Sequence, residues 1–165
     1  MAQGQGNTVG SRSSIDLAYI AGFLDGDGSL MIQLKHRSES KTGGMRVMLT
    51  ISFYQDSRHE APLHWIREVL GIGYLSHRND GMTELRINGH QQVLGILLDL
   101  LPFLKFKKRQ AEVIISSAQL LLGDVRNEVT KEKLVDNILV VQSENYVTRR
   151  KRSKQELRSL FGLTP

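Results

Sequence analysis

From Ile15 to Leu24 a single residue, Asp16, interrupts an otherwise apolar run, and the run ends in Asp25-Gly26-Asp27-Gly28. Ser13 or Ser14 makes a good N-cap and Asp16 suits a first turn, so the stretch predicts a helix over 15–24. A helix that is apolar on nearly every side must be covered on every side. A chain of 165 residues makes about one domain, which suggests that another subunit covers part of this helix. The two acids create a second tension. Glycine after a helix end is ordinary capping, but a helix C-terminus carries partial negative charge, and two Asp there cost stability unless a cation or donors compensate. A local rule broken in this way marks a functional site.

Beyond the acids the chain alternates with period two. In 29–37 one parity is Leu30, Ile32, Leu34 and the other Ser29, Met31, Gln33, Lys35, Arg37. In 46–55 Val47, Leu49, Ile51, Phe53 oppose Arg46, Met48, Thr50, Ser52, Tyr54. These are half-exposed strands joined by a flexible loop over 38–44. A short helix comes next, capped by Asp56 or Ser57, with Pro62 early, and stopped by Gly71 and Gly73. Residues 74–78 and 83–88 form a second hairpin around Asn79-Asp80-Gly81. A helix over 91–101 stops at Pro102. The order αββαββα defines an α+β domain with helices on one face of an antiparallel sheet. Helical spacing continues through 111–122 and 134–139, and a last short helix covers 154–161. The Gly- and Gln-rich residues 1–13 read as a disordered tail and 14–165 as one domain, with a helical extension from about 105.

The outward sheet face carries Gln33, Lys35, Arg37, Arg46, Thr50, Ser52, Ser76, Arg78, Glu84 and Arg86. Arg and Lys suit guanine edges, Gln suits adenine, and Glu can accept from cytosine; a β-ribbon fits a major groove. An ordinary wet sheet face has the same alternation. Charge supports the nucleic-acid reading. Residues 1–104 hold 9 basic and 10 acidic residues, whereas 105–165 hold 13 and 7, with 8 of the 13 in two runs, 105–109 and 149–152. Two basic runs in one chain favour an anionic partner.

Several chemistries are excluded. Cysteine is absent, so there is no disulfide, thiolate metal site or thiol nucleophile. An EF-hand starting at Asp25 would need Gly at position 6 and Glu at position 12, where Leu30 and His36 stand. A hard divalent cation held by few carboxylates plus a phosphate remains. No apolar run approaches the ~18 residues of a membrane span and no secretory signal precedes the helix, so a soluble intracellular protein, in an organelle or the cytoplasm or nucleoid, is expected.

Residues 17–29, Leu-Ala-Tyr-Ile-Ala-Gly-Phe-Leu-Asp-Gly-Asp-Gly-Ser, resemble the signature of LAGLIDADG homing endonucleases of the single-motif, homodimeric, intron-encoded type. The order of elements agrees, as do the stretches 49–55, 71–74 and 101–111. The resemblance implies a curved antiparallel sheet serving as a DNA saddle. It also implies a double-strand endonuclease that cuts a long pseudo-palindromic site with Mg2+, Mn2+ or Ca2+ substituting in binding. By the same resemblance Asp27 and the Gly26 carbonyl hold metal, and Gln55 and Lys107 complete the catalytic set. A family arginine falls near Arg58 and His59, and its role here stays unassigned. Ser29, Met31 and Met48 join the saddle face, and Arg109, Arg149, Arg150, Lys151 and Arg152 hold phosphates. Ala18, Gly22, Asp25 and Gly26 lie in a helix–helix dimer contact, where the Gly22-x-x-x-Gly26 spacing permits close approach. The alternatives are an RNA maturase or DNA-binding protein on the same scaffold without cleavage, and an interaction domain with a basic tail.

Overall fold

The computed structural model describes residues 12–36, 44–145 and 150–164. α1 covers Ser14–Asp27, with the Ser13 hydroxyl accepting the Ile15 N–H. It runs straight into β1, Gly28–His36, which pairs antiparallel with β2, Met45–Asp56. A 3-10 turn over Ser57–His59 leads to α2, Ala61–Leu70. β3, Tyr74–His77, and β4, Met82–Asn88, form the second hairpin. α3, His90–Leu100, a 3-10 turn at Leu101–Phe103, then α4, Lys108–Leu122, α5, Glu128–Glu144, and α6, Lys154–Leu160, complete the chain.

The sheet order is β1-β2-β4-β3, so the two hairpins join through their later strands. The expected αββαββα order stands, but α1 is one turn longer than the apolar run suggests and includes both acids. Gly28 ends it in extended geometry at φ −113°, not in a left-handed cap. Its role is room: a Cβ there would lie 2.5 Å from Leu24 Cδ1 and 2.8 Å from the Leu24 carbonyl. Gly71, by contrast, is left-handed at φ 70° and returns its N–H to the Arg67 carbonyl, closing α2.

Alternating residues Leu30, Val47, Leu49, Ile51, Phe53, Leu85 and Ile87 bury one sheet face under Leu17, Ile20 and Leu24 of α1, Leu63 and Ile66 of α2 and Val93 and Leu97 of α3. Ala111, Ile114 and Ala118 of α4 extend that core. A smaller cluster of Val135, Ile138, Leu157 and Leu163 ties α5 to α6, with Ile32 and Leu34 of β1 packed against it. Arg12 is anchored, donating to the Val69 and Leu70 carbonyls at 3.3 and 2.8 Å and pairing with Asp99, which satisfies the open end of α2. The rest of the tail and most of the β1–β2 loop lie outside the described residues.

Candidate active site and nucleic-acid interface

α1 turns four side chains inward, Leu17, Ile20, Ala21 and Leu24, and leaves Ile15 79% and Tyr19 58% exposed. Gly22 and Gly26 have no foreign atom within 4 Å of where a Cβ would stand. One face of α1 is therefore uncovered within its own chain.

Asp25 and Asp27 are two residues apart on a helix, about 200° around its axis, and diverge accordingly. The Asp25 carboxylate turns to the segment before α4, where it accepts the backbone N–H groups of Lys105, Phe106 and Lys107 at 2.7, 3.2 and 2.8 Å. Within its own chain the carboxylate thus neutralises orphan donors ahead of a helix. In return the Lys107 Nζ donates to the Asp25 backbone carbonyl at 2.6 Å. A cation so placed offsets the partial negative charge at the end of α1. Burial pushes the Lys107 ammonium below the ordinary lysine range, and the charges of Asp25 and Asp27 pull it partly back.

Asp27 is the exposed last residue of α1, and among the described residues its carboxylate accepts no hydrogen bond. The β1–β2 register pairs Gly28 with Phe53, so Gln55 lies two residues beyond the point where α1 hands over to β1. Its Oε1 accepts the Asp56 N–H at 2.9 Å, leaving its amide nitrogen free to donate. Arg58 forks onto Asp56, Nε to Oδ1 at 3.0 Å and Nη2 to Oδ2 at 2.7 Å, and holds that carboxyl well below the usual carboxylate range. His59 beside it is exposed.

An uncommitted Asp27 carboxylate and the unpaired carbonyls of a helix end are hard oxygen donors that suit Mg2+ or Ca2+. Among the described residues no group of three His, Cys, Asp or Glu side chains is placed to hold a metal ion; a cation at Asp27 would take further oxygen ligands such as a phosphate.

The outward sheet face is more layered than strand parity implies. Lys35 and Arg46, cross-strand partners, are exposed, as is Arg78, which pairs with Asp80 and lies 5.8 Å over the Tyr54 ring. Ser29, Met31, Gln33, Met48 and Ser76 are half-buried. Thr50 and Ser52 are fully buried and Glu84 is 5% exposed, against the expectation that all three display their polar atoms. They bond sideways instead: Thr50 donates to Asn88 at 2.8 Å, and Ser52 to Glu84 at 2.6 Å. Arg37 and Arg149 lie outside the described residues. Arg109 and Arg150 are exposed and pair with Glu144 and Glu156; Lys151 is exposed and Arg152 half-buried.

Sequence reasoning missed one cluster. Glu60 accepts from Thr83 at 2.5 Å, and its oxygens meet His77 Nε2 at 2.8 Å and His64 Nε2 at 3.3 Å. Only the i,i+4 spacing of Glu60 and His64 was visible beforehand. The cluster adjoins Gln55 through the register Gln55–Thr83.

The four-stranded antiparallel sheet with helices packed on one face, opened by the apolar helix α1, defines a class of protein. The chain belongs to the LAGLIDADG endonuclease family, whose pattern matches residues 20–115. Among curated relatives, it is similar to the DNA endonuclease I-CvuI of Chlorella vulgaris, 35% identical over 105 residues, covering 63% of this chain and 64% of that one. It is also similar to the DNA endonuclease I-CreI of Chlamydomonas reinhardtii, 30% identical over 99 residues and covering 60% of each. The chain thus spans under two thirds of the length of either relative. The fold matches crystal structures of I-CvuI in complex with DNA, one in the presence of magnesium (TM-score 0.75) and one of calcium (TM-score 0.76). Each is 24% identical, covering 92% of this chain and 97% or 98% of the other.

Proposed function

We propose that this protein is a homodimeric, divalent-metal-dependent, site-specific DNA endonuclease that cleaves both strands of a long pseudo-palindromic target. The observation that carries it is the division between two neighbouring acids. Asp25 is consumed by the fold, whereas Asp27 stands exposed beside the Lys107 cation. An uncommitted carboxylate next to a half-buried lysine suits phosphodiester hydrolysis. I-CvuI and I-CreI are named DNA endonucleases, which supports the reading.

Asp27 and the Gly26 carbonyl would hold the cation, which supplies charge neutralisation and acidifies a bound water. Lys107 adds fixed positive charge where the phosphate accumulates negative charge, and does so in a partly dehydrated site where it acts strongly. Gln55, its Oε1 occupied, presents N–H groups that orient a water beside the scissile phosphate. The exposed Ile15 and Tyr19 and the open backbone at Gly22 and Gly26 form the surface on which a second α1 would pack. Two Asp27 residues would then serve the two strands, and a two-fold protein matches a two-fold site. Lys35, Arg46 and Arg78 lie on the face offered to the duplex.

Incubation with Mg2+ and a plasmid carrying the fused sequence that flanks the reading frame tests this. Linear product is expected from wild type and none from Asp27→Asn. An uncut plasmid, with tight binding to the flanking intron RNA instead, sinks the endonuclease reading in favour of a maturase.

A further inference from the structure

Thr83 of β4 is paired with Gln55 of β2 on one side and with His77 of β3 on the other. By the alternation that buries Phe53 and Leu85, all three lie on the helix side of the sheet, at its end. Cross-strand partners of this kind hold their Cβ atoms about 5 Å apart. Thr83 is fully buried, so its hydroxyl has to be satisfied inside the fold. It donates to Glu60 Oε2 at 2.5 Å and, with its proton committed there, accepts the Ser57 hydroxyl at 2.8 Å. The same Glu60 oxygen meets His77 Nε2 at 2.8 Å, and Oε1 meets His64 Nε2 at 3.3 Å. Glu60 stands at the N-cap of α2, yet its side chain makes no capping bond. It turns to the sheet instead and ties α2 to β3 and β4.

This knot fixes the segment that follows Gln55. The Ser57 N–H donates to the Gly81 carbonyl at 2.9 Å, and its hydroxyl to Thr83. Asp56 accepts the Arg58 backbone N–H at 2.9 Å and its guanidinium, while the Asp56 N–H goes to Gln55 Oε1. The orientation of the Gln55 amide therefore follows the backbone at Asp56, and that backbone is held through Ser57 and Thr83 by Glu60. The Thr83 hydroxyl first, and then His64, keep Glu60 below the usual glutamate range, so at neutral pH it is a carboxylate, a stronger acceptor than a neutral group.

We infer that Glu60 is a positioning residue for Gln55: through the Thr83 and Ser57 hydroxyls it holds the end of β2 so that the Gln55 amide keeps one orientation. The inference rests on the DNA-cleaving function proposed above.

Single-turnover cleavage in Mg2+, with DNA binding in Ca2+ measured beside it, tests this in Glu60→Ala, Thr83→Val, Glu60→Gln, Gln55→Ala and the Glu60→Ala/Gln55→Ala double variant. Glu60→Ala and Thr83→Val should slow cleavage by about 10- to 100-fold at unchanged DNA affinity, as misplacing a catalytic group does. Glu60→Gln, whose Oε1 can still accept from Thr83, should restore most of the rate. The double variant should be no slower than Gln55→Ala alone, because both changes remove one contribution. The side-chain amide of Gln55, followed by NMR, is the second readout: its order parameter should fall in Glu60→Ala and Thr83→Val. Thr83→Val removes only a hydroxyl and carries the test if Glu60→Ala fails to fold. The inference is overturned if both variants cleave at the full rate, if the losses add in the double variant, if DNA affinity falls as far as the rate, or if the Gln55 amide is as ordered as in wild type. A wild type that cuts no DNA counts against the endonuclease reading alone, and the Gln55 amide in the two variants then decides the positioning.

Discussion

Lys107 and Asp25 hold each other twice. The lysine Nζ donates to the Asp25 carbonyl at 2.6 Å, and the Asp25 carboxylate accepts the Lys107 backbone N–H at 2.8 Å. The end of α1 and the approach to α4 are thereby joined, and Asp27 is left outside the exchange.

The two acids should separate in experiment. Asp25→Ala strips three backbone donors of their acceptor, and hydrogen bonds to a charged group contribute about 1.5–3 kcal/mol each where partly buried. A loss of at least about 2 kcal/mol should lower the melting temperature by about 4–8 °C in a domain of this size. Asp27→Asn should leave it unchanged or slightly raised, since it removes a charge from the unfavourable end of a helix, while abolishing cleavage. Equal melting temperatures for the two variants in thermal unfolding would refute the division.

Burial lowers the Lys107 pKa, so this side chain sheds its proton at lower pH than a surface lysine. If its charge assists cleavage, the rate should fall as pH rises through that value. Lys107→Arg keeps its charge throughout and should remove this alkaline limb while retaining some activity. A pH–rate profile of the two proteins decides; identical alkaline limbs would assign the limb to another group.

Glu60 is held below the usual glutamate range, first by the Thr83 hydroxyl and then by His64 and His77. A carboxyl with a lowered folded-state pKa contributes stability above its unfolded-state value and loses it as pH falls through the folded one. Glu60→Gln should therefore shrink the drop in melting temperature between neutral pH and about pH 3.5, below the ordinary glutamate pKa. An unchanged drop would show that the cluster adds nothing to acid stability.

Gly22 has open space around its missing Cβ within one chain. Gly22→Ala should raise helix stability by up to about 1 kcal/mol in an isolated chain. Gly22→Leu should block the approach of a second α1, so a monomer with intact fold and no double-strand cleavage is expected. Analytical ultracentrifugation with circular dichroism reads both; a dimeric, active Gly22→Leu protein would remove α1 from the interface.

Strand and helix order was legible in the sequence because periodicity and breakers are local. The alternation of 46–55, the Asn79-Asp80-Gly81 turn and the Gly71 and Pro102 stops each act within a few residues. Helix α1 was legible too, since an almost wholly apolar run ending in two acids must be covered along its length. Depth was not. Parity assigned Thr50, Ser52 and Glu84 to the correct face, yet whether a polar group on that face meets solvent or its neighbours depends on which strand lies alongside. The resemblance told Asp25 from Asp27, but helix spacing alone, with identical side chains on one helix, could not say which groups Asp25 would bond. Only the tertiary fold brings 105–107 against one side of α1, and the carboxylate on that side is bonded into the fold while the other stays exposed.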